Sequence, residues 1–205
     1  MAASVVVSTV QGALRTVVLT ARRAFGLPAQ LHTEDRRVLE QHILPEYARH
    51  PDIGRMLFVG CAPYTQRYSG FFGGRDYWTI DPVARRRRYG SERHIVDTLQ
   101  SLGGHFARAY FDLILCNGVL GWGLNAPSDA DAAFEACFAR LRAGGYLLLG
   151  WNDIAPRNRV LPSDIPALRR FESVNFGASQ TARWVIDAPN RHVFEFYRKP
   201  LAFIS

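Results

Sequence analysis

Side chains able to do chemistry collect in this 205-residue sequence at the ends of short apolar runs. Met56 to Val59 ends in Gly60, Cys61 and Ala62; Tyr77 to Ile80 in Asp81; His94 to Val96 in Asp97. Phe111 to Cys116 ends in Asn117, and Tyr146 to Trp151 in Asn152 and Asp153. Carboxylates and amides at such points can hydrogen-bond the hydroxyl or amino groups of a ligand, and a carboxylate or imidazole can take a proton. Asp153 is the best-placed carboxylate for a base or an acceptor contact; its plain structural role would be to cap the next turn. His192 opens the last apolar run, so it is a second candidate base if that strand is antiparallel and starts at the same edge. Gly118, Gly121 and Gly123 surround Trp122 and describe a bent loop that sets an indole against either an acceptor or the core. Trp151 and Asn152 share the edge with Asp153 as acceptor contacts. No spacing of His, Cys and acids makes a metal site, and no Ser-His-Asp arrangement emerges.

The elements that must position these residues follow from the runs themselves. Continuous apolar segments without in-out alternation suit strands buried on both faces, as in a parallel sheet. In such a sheet ligands bind beyond the carboxyl ends of the strands, where all of these stop residues would lie. Ser128, with Asp131 three residues on, reads as a capping box opening a helix whose stripe is Phe134, Cys137, Phe138 and Leu141. Gly144 and Gly145 read as its end. Residues 156 to 166 hold three prolines and read as a loop with a short helix behind it. Phe171 to Phe176 and His192 to Arg198 alternate as strands, with a turn at Pro189 and Asn190. The alternation of elements is α/β.

The series resembles class I S-adenosylmethionine-dependent methyltransferases over roughly residues 52 to 199. Four places carry the resemblance: Arg55 to Ala62, a strand into a glycine turn; Thr79-Ile80-Asp81; Phe111 to Asn117; and Leu141 to Gly150, the end of a helix, a double glycine and a strand. The family fold is Rossmann-like, with a seven-stranded, mostly parallel sheet, the last strand antiparallel, and helices on both faces. The resemblance therefore implies a domain over 52–205 behind an N-terminal helical cap over 1–51. It implies S-adenosylmethionine as cofactor, held by Gly60, Cys61, Ala62, Tyr64, Asp81, Asp97 and Asn117. Asp81 would accept the ribose hydroxyls and Asp97 the adenine amino group. Each has a plain alternative: Asp81 as a turn acid before Pro82, Asp97 as a cap for a helix near Thr98.

The glycine turn departs from the family. An acid two residues before the first glycine and glycines two and four after it are replaced by Phe58, Ala62 and Tyr64. The loop is either a variant in which Tyr64 supplies a ring or hydroxyl, or one that has lost its cofactor. A nicotinamide dehydrogenase would need Gly-x-Gly-x-x-Gly, which Gly60, Ala62 and Thr65 do not supply, and no phosphate-binding Gly-x-x-x-x-Gly-Lys is present. Methyl transfer is an in-line displacement that asks chiefly for alignment and exclusion of water. Asn117 and its successors lack the Asn/Asp-Pro-Pro-aromatic pattern used on nucleobase amino groups, which favours a small-molecule acceptor such as a metabolite or sugar hydroxyl.

Composition bounds the alternatives. Twenty-four Arg and one Lys face eighteen acids, for a net charge of +7. Residues 82 to 93 alone carry a surplus of four, mostly in Arg85 to Arg88, so the charge is local rather than a stripe. An RNA-directed methyltransferase or RNA-binding protein is the reading that this surplus keeps open, and a catalytically inactive methyltransferase-like binding module is the other. Three widely spaced cysteines form no disulfide framework and suit a reducing, cytoplasmic setting. No apolar window is long enough for a transmembrane helix. Val6, Val10, Leu14, Val17 and Val18 recur at helical spacing in an acid-poor segment with Arg15, Arg22 and Arg23. That segment reads as an amphipathic cap, or alternatively as a membrane-surface helix or transit peptide.

Overall fold

The computed structural model describes residues 31–155 and 158–201; the amphipathic segment Val6 to Val18 lies outside them. The chain enters through α1 (Glu34–Val38), a π-helical turn (Leu39–Ile43) and α2 (Leu44–Arg49). β1 (Arg55–Val59), β2 (Asp76–Ile80), β3 (Arg93–Ile95) and β4 (Phe111–Asn117) follow, then α3 (Pro127–Arg140) and β5 (Leu141–Asn152). β6 (Glu172–Ser173), β7 (Arg183–Val185) and β8 (His192–Arg198) complete the sheet.

The order across the sheet is β3-β2-β1-β4-β5-β8-β6, with β7 also paired to β8. β1 to β5 run parallel, and β8 lies antiparallel to β5 from Tyr146↔Arg198 to Asn152↔His192. This is the Rossmann-like methyltransferase architecture, with the antiparallel strand where it was expected. Its outer edge differs: β6 pairs with the end of β8 and β7 with its middle, so two short strands occupy one side of β8. β7 was not evident in the sequence, and β6 keeps only two residues of the expected Phe171 to Phe176 strand. The strand order reverses at β1, with β2 on one side and β4 on the other, and that is where α/β sheets open a crevice.

Alternation along the strands builds two cores. Leu57, Ile114, Cys116, Leu147, Leu149, Trp151 and Val193 pack under Phe134 and Cys137 of α3. Met56, Phe58, Leu113, Leu115, Leu148, Phe194 and Phe196 pack under Leu39, Ile43, Leu44 and Tyr47 of the N-terminal helices. Each such side chain contributes roughly 1.5–3 kcal/mol. Residues 34–49 are therefore built into the same core as the sheet.

Two boundary expectations are corrected. α3 opens at Pro127 behind Ala126, with no side-chain cap. Asp131 instead accepts the Ala167 N–H at 2.7 Å, fastening the loop after β5 to α3. The helix also ends at Arg140, before Gly144 and Gly145, because Lys199 Nζ satisfies the Phe138 and Leu141 carbonyls at 2.7 and 2.8 Å. Gly144 (φ 71°) then lies within β5, donating to the Lys199 carbonyl at 2.9 Å. Most crossovers are short 3-10 segments, Tyr68–Phe72, Ala84–Tyr89 and Leu99–Gly104, in place of full helices.

Candidate functional site

The loop after β1 turns sharply at Gly60, whose φ of 84° strains any side chain. Gly60 N–H binds the Ile80 carbonyl at 2.9 Å, and Ala62 and Thr65 close a small turn on each other. Asp81 stands where expected, at the tip of β2, and is 1% exposed. Its Oδ2 accepts the Cys61 N–H at 2.8 Å and Arg86 NH1 at 3.2 Å, and its Oδ1 accepts the Val83 N–H at 2.9 Å. Burial pushes the Cys61 thiol up to about 12, and the Asp81 charge adds to that.

The arginine run is thus split by the fold. Arg85 to Arg88 lie on the 3-10 segment Ala84–Tyr89, Arg86 turns in to Asp81, and Arg88 lies over the Tyr89 ring. Asp97 takes a local role: Oδ1 accepts the Thr98 N–H at 2.7 Å and Oδ2 bonds His105 Nε2 at 2.8 Å. The His105 bond, then that of Thr98, holds the Asp97 carboxyl below its usual range.

Asn117, Asn152 and His192 meet at the tips of β4, β5 and β8. His192 Nε2 lies 2.9 Å from Asn117 Oδ1, and Nδ1 2.6 Å from Asn152 Oδ1. Burial pushes the imidazole down to about 4, against the pull of Asp35. A neutral ring has one N–H and one lone pair, so one of the two amides turns its NH2 toward it. In either arrangement one atom of the Asn117 amide is left over; its Nδ2 is buried without a partner among the described residues. Gly150 makes room for this triad: a Cβ there would fall 1.8 Å from Asn117 Oδ1 and 2.9 Å from His192 Nε2.

His192, read from the sequence as a candidate base, has both ring nitrogens engaged by Asn117 and Asn152, and these contacts hold the three side chains together. It does not meet Asp153. His192 stacks edge-on with Phe194 on the α1 face, whereas Asp153 lines a cavity of about 550 Å3 together with Trp151, which belongs to the α3 face. Asp153 is paired to Arg183 at 3.1 Å and Arg191 at 3.8 Å. Trp151 is 4% exposed and part of the core, so of the two tryptophans only Trp122, 61% exposed, is presented to solvent.

α1 adds residues that the sequence did not reveal. Arg36 is 7% exposed, stacks 4.5 Å from the Tyr64 ring centre and donates to Tyr68 Oη at 3.2 Å. Tyr68 donates to Glu40 at 2.9 Å, and Asp35 accepts Asn190 Nδ2 at 3.2 Å. A charged Asp35-Arg36 pair at a helix start reads as solvated surface, and only the tertiary fold buries it. Among the described residues no group of His, Cys, Asp and Glu could hold a metal ion, and no helix is long and apolar enough to cross a membrane.

With this geometry in place, comparison with known proteins gives a fold. No family model matches the sequence and no curated protein does. Among solved structures, the N-methyltransferase NodS from Bradyrhizobium japonicum WM9 superposes with a TM-score of 0.61 at 17% identity, covering 83% of this chain and 99% of that one. The 1,6-didemethyltoxoflavin-N1-methyltransferase of Burkholderia thailandensis, with its substrate and S-adenosylhomocysteine bound, gives 0.53 at 16% identity over 94% of this chain and 90% of its own. A SAM-dependent methyltransferase from Methanosarcina mazei gives 0.55 at 15% over 78% and 98%. This is the class I S-adenosylmethionine-dependent methyltransferase fold. Within that methyltransferase fold, the tips of β1, β2 and β4 are the crevice, and Gly60, Asp81 and Asn117 stand on it.

Proposed function

We propose that the chain transfers a methyl group from S-adenosylmethionine to a small-molecule acceptor, with a hydroxyl of a metabolite or sugar as the group methylated. The observation that carries this reading is the crevice itself. On neighbouring strands, paired up to Val59↔Cys116, the backbone turns open at Gly60 while Asn117 keeps a buried amide atom with no partner among the described residues. An uncommitted buried amide costs about 1–3 kcal/mol, which a ligand would recover.

The residues fit the donor with one adjustment. A carboxylate offers about four acceptor positions, and Asp81 has three in use. The Arg86 side chain is 47% exposed and can swing away, leaving Asp81 two positions for a ribose diol, whereas the Cys61 and Val83 bonds hold the carboxylate in aim. Gly60 to Ala62 would lie against the donor, Tyr64 would cover it with its ring backed by Arg36, and Asn117 would bind through its free amide atom. S-adenosylmethionine when bound supplies an electrophilic methyl group on a sulfonium. The protein's part is alignment and exclusion of water, with His192 and Asn152 fixing Asn117 and Trp122 meeting the acceptor. The buried free thiols Cys61, Cys116 and Cys137 agree with a reducing, cytoplasmic setting.

A non-catalytic module is the second reading, favoured by the near-complete burial of Asp81 under the loop. Calorimetry with S-adenosylhomocysteine separates the two. Micromolar binding, lost by at least about tenfold in Asp81→Ala, is the expected result. Absence of binding at millimolar ligand would favour the module.

A further inference from the structure

The cavity of about 550 Å3 lies on the α3 side at the far edge of the sheet, over β8 and its short partners. At about 4.8 Å per strand, β8 stands roughly 14 Å from β1 along the order β1-β4-β5-β8. Trp151 and Asp153 extend the cavity's lining to the tip of β5, but it shares no residue with the Gly60 and Asp81 crevice, and its size lies within the range of about 300–1,000 Å3 usual for small-molecule sites.

Its lining is of two kinds. Tyr197 supplies a half-buried ring, bordered by the largely buried rings of Trp151 and Phe171. Asp153, Arg183 and Glu195 supply a charge network, in which Arg183 bonds Asp153 at 3.1 Å and Glu195 at 3.3 Å while the Tyr197 hydroxyl donates to Glu195 at 2.6 Å. Arg169 also lines the cavity and donates to the Ser163 carbonyl at 2.9 Å. Two acids thus face two arginines, and the lining carries no net charge. The Trp151 indole N–H is buried with no hydrogen-bond partner among the described residues.

We infer that this cavity binds a neutral saccharide unit. A pyranose presents apolar C–H faces, which suit the aromatic rings, and hydroxyls that both donate and accept, which suit carboxylates and a guanidinium already held in place. A phosphate or carboxylate ligand would meet Arg183 already engaged by Asp153 and Glu195 and would find Arg169 as the one lining cation with no acid partner among the described residues, with two carboxylates in the same lining, so the charge balance disfavours anions. The inference does not depend on methyl transfer, because no residue of the cavity belongs to the proposed donor crevice.

The test is saturation-transfer NMR on the full chain with methyl α-D-glucopyranoside, methyl β-D-galactopyranoside and methyl α-L-rhamnopyranoside. At least one should bind saturably in the millimolar range, and excess inorganic phosphate should not displace it. Ser173→Trp, which fills the cavity from β6, should weaken binding about tenfold with an unchanged melting temperature. If that variant does not fold, Arg183→Met, at an exposed position, should weaken it several-fold. Lack of saturation by all three glycosides, displacement by phosphate, or wild-type affinity in the folded variant would each overturn the proposal. Parallel titration with S-adenosylhomocysteine reports on the donor crevice alone, so failure of one reading is distinguishable from failure of the other.

Discussion

Gly150→Ala tests whether the Asn117-His192-Asn152 triad is packed as described. The added Cβ would fall 1.8 Å from Asn117 Oδ1, 2.8 Å from its Cγ and 2.9 Å from His192 Nε2, so the amide must leave its place. Overpacking a filled core costs about 1–3 kcal/mol, and leaving the buried imidazole nitrogen unpaired costs about 1–3 kcal/mol more. Some of this relaxes, and about 3 kcal/mol is expected, a fall in melting temperature of roughly 6–12 °C for a chain of this length. Urea unfolding of the wild type, Gly150→Ala, Asn117→Ala and the double variant measures it. In the Asn117→Ala background the Cβ meets only His192, so the second substitution should cost about half as much and the cycle should show about 1–2 kcal/mol of coupling. A Gly150→Ala protein within about 0.5 kcal/mol of wild type, or additive behaviour, would refute the packing and with it the role given to Asn117.

Three further outcomes follow from other contacts. Because the folded His192 titrates at about 4, below its unfolded value of about 6.5, its contribution is complete above the unfolded value and is lost as pH falls toward 4, by up to roughly 3 kcal/mol. An NMR titration placing His192 at or above its unfolded value would contradict this. Asp112 holds the Gly54 and Arg55 N–H groups at 2.9 and 2.7 Å and Arg142 at 2.6 Å, so Asp112→Ala should destabilise by about 3 kcal/mol in denaturant unfolding. Arg86→Gln frees an acceptor position on Asp81 and should tighten S-adenosylhomocysteine several-fold by calorimetry; weaker binding would mean that Arg86 itself contacts the ligand.

The parallel strands β1 to β5 were legible because each contains an apolar run with an abrupt polar stop, and β8 from His192 to Arg198 matches its expected span at both ends, whereas the short, exposed β6 and β7 carry no such run. The positions of Asp81 and Asn117 at strand ends were legible for the same reason, since each ends a run. What the sequence concealed depends on partners remote in the chain. Lys199 ends α3 and Asp131 pins Ala167, so neither local signal, the glycine pair nor the capping box, decided that helix's limits. Asp153 and His192 read as two candidate bases on one edge, and an edge does not say which face of the sheet each side chain takes. Only the register Asn152↔His192 shows that one lies under α1 and the other over the cavity. Arg36 and Asp35 were hidden because burial of charge has no signature in composition.

β8 receives three strands, β5, β6 and β7, and supplies residues to both cores. During synthesis the ribosome therefore releases α1, α2 and β1 to β5 well before the strand that completes either hydrophobic layer. Until residue 198 has emerged, the nascent chain carries an unpaired β5 edge and a half-covered N-terminal helix, a state open to strand-edge aggregation and suited to chaperone capture. Substitutions in β8 should thus reduce the yield of folded protein more than they reduce the stability of what has already folded.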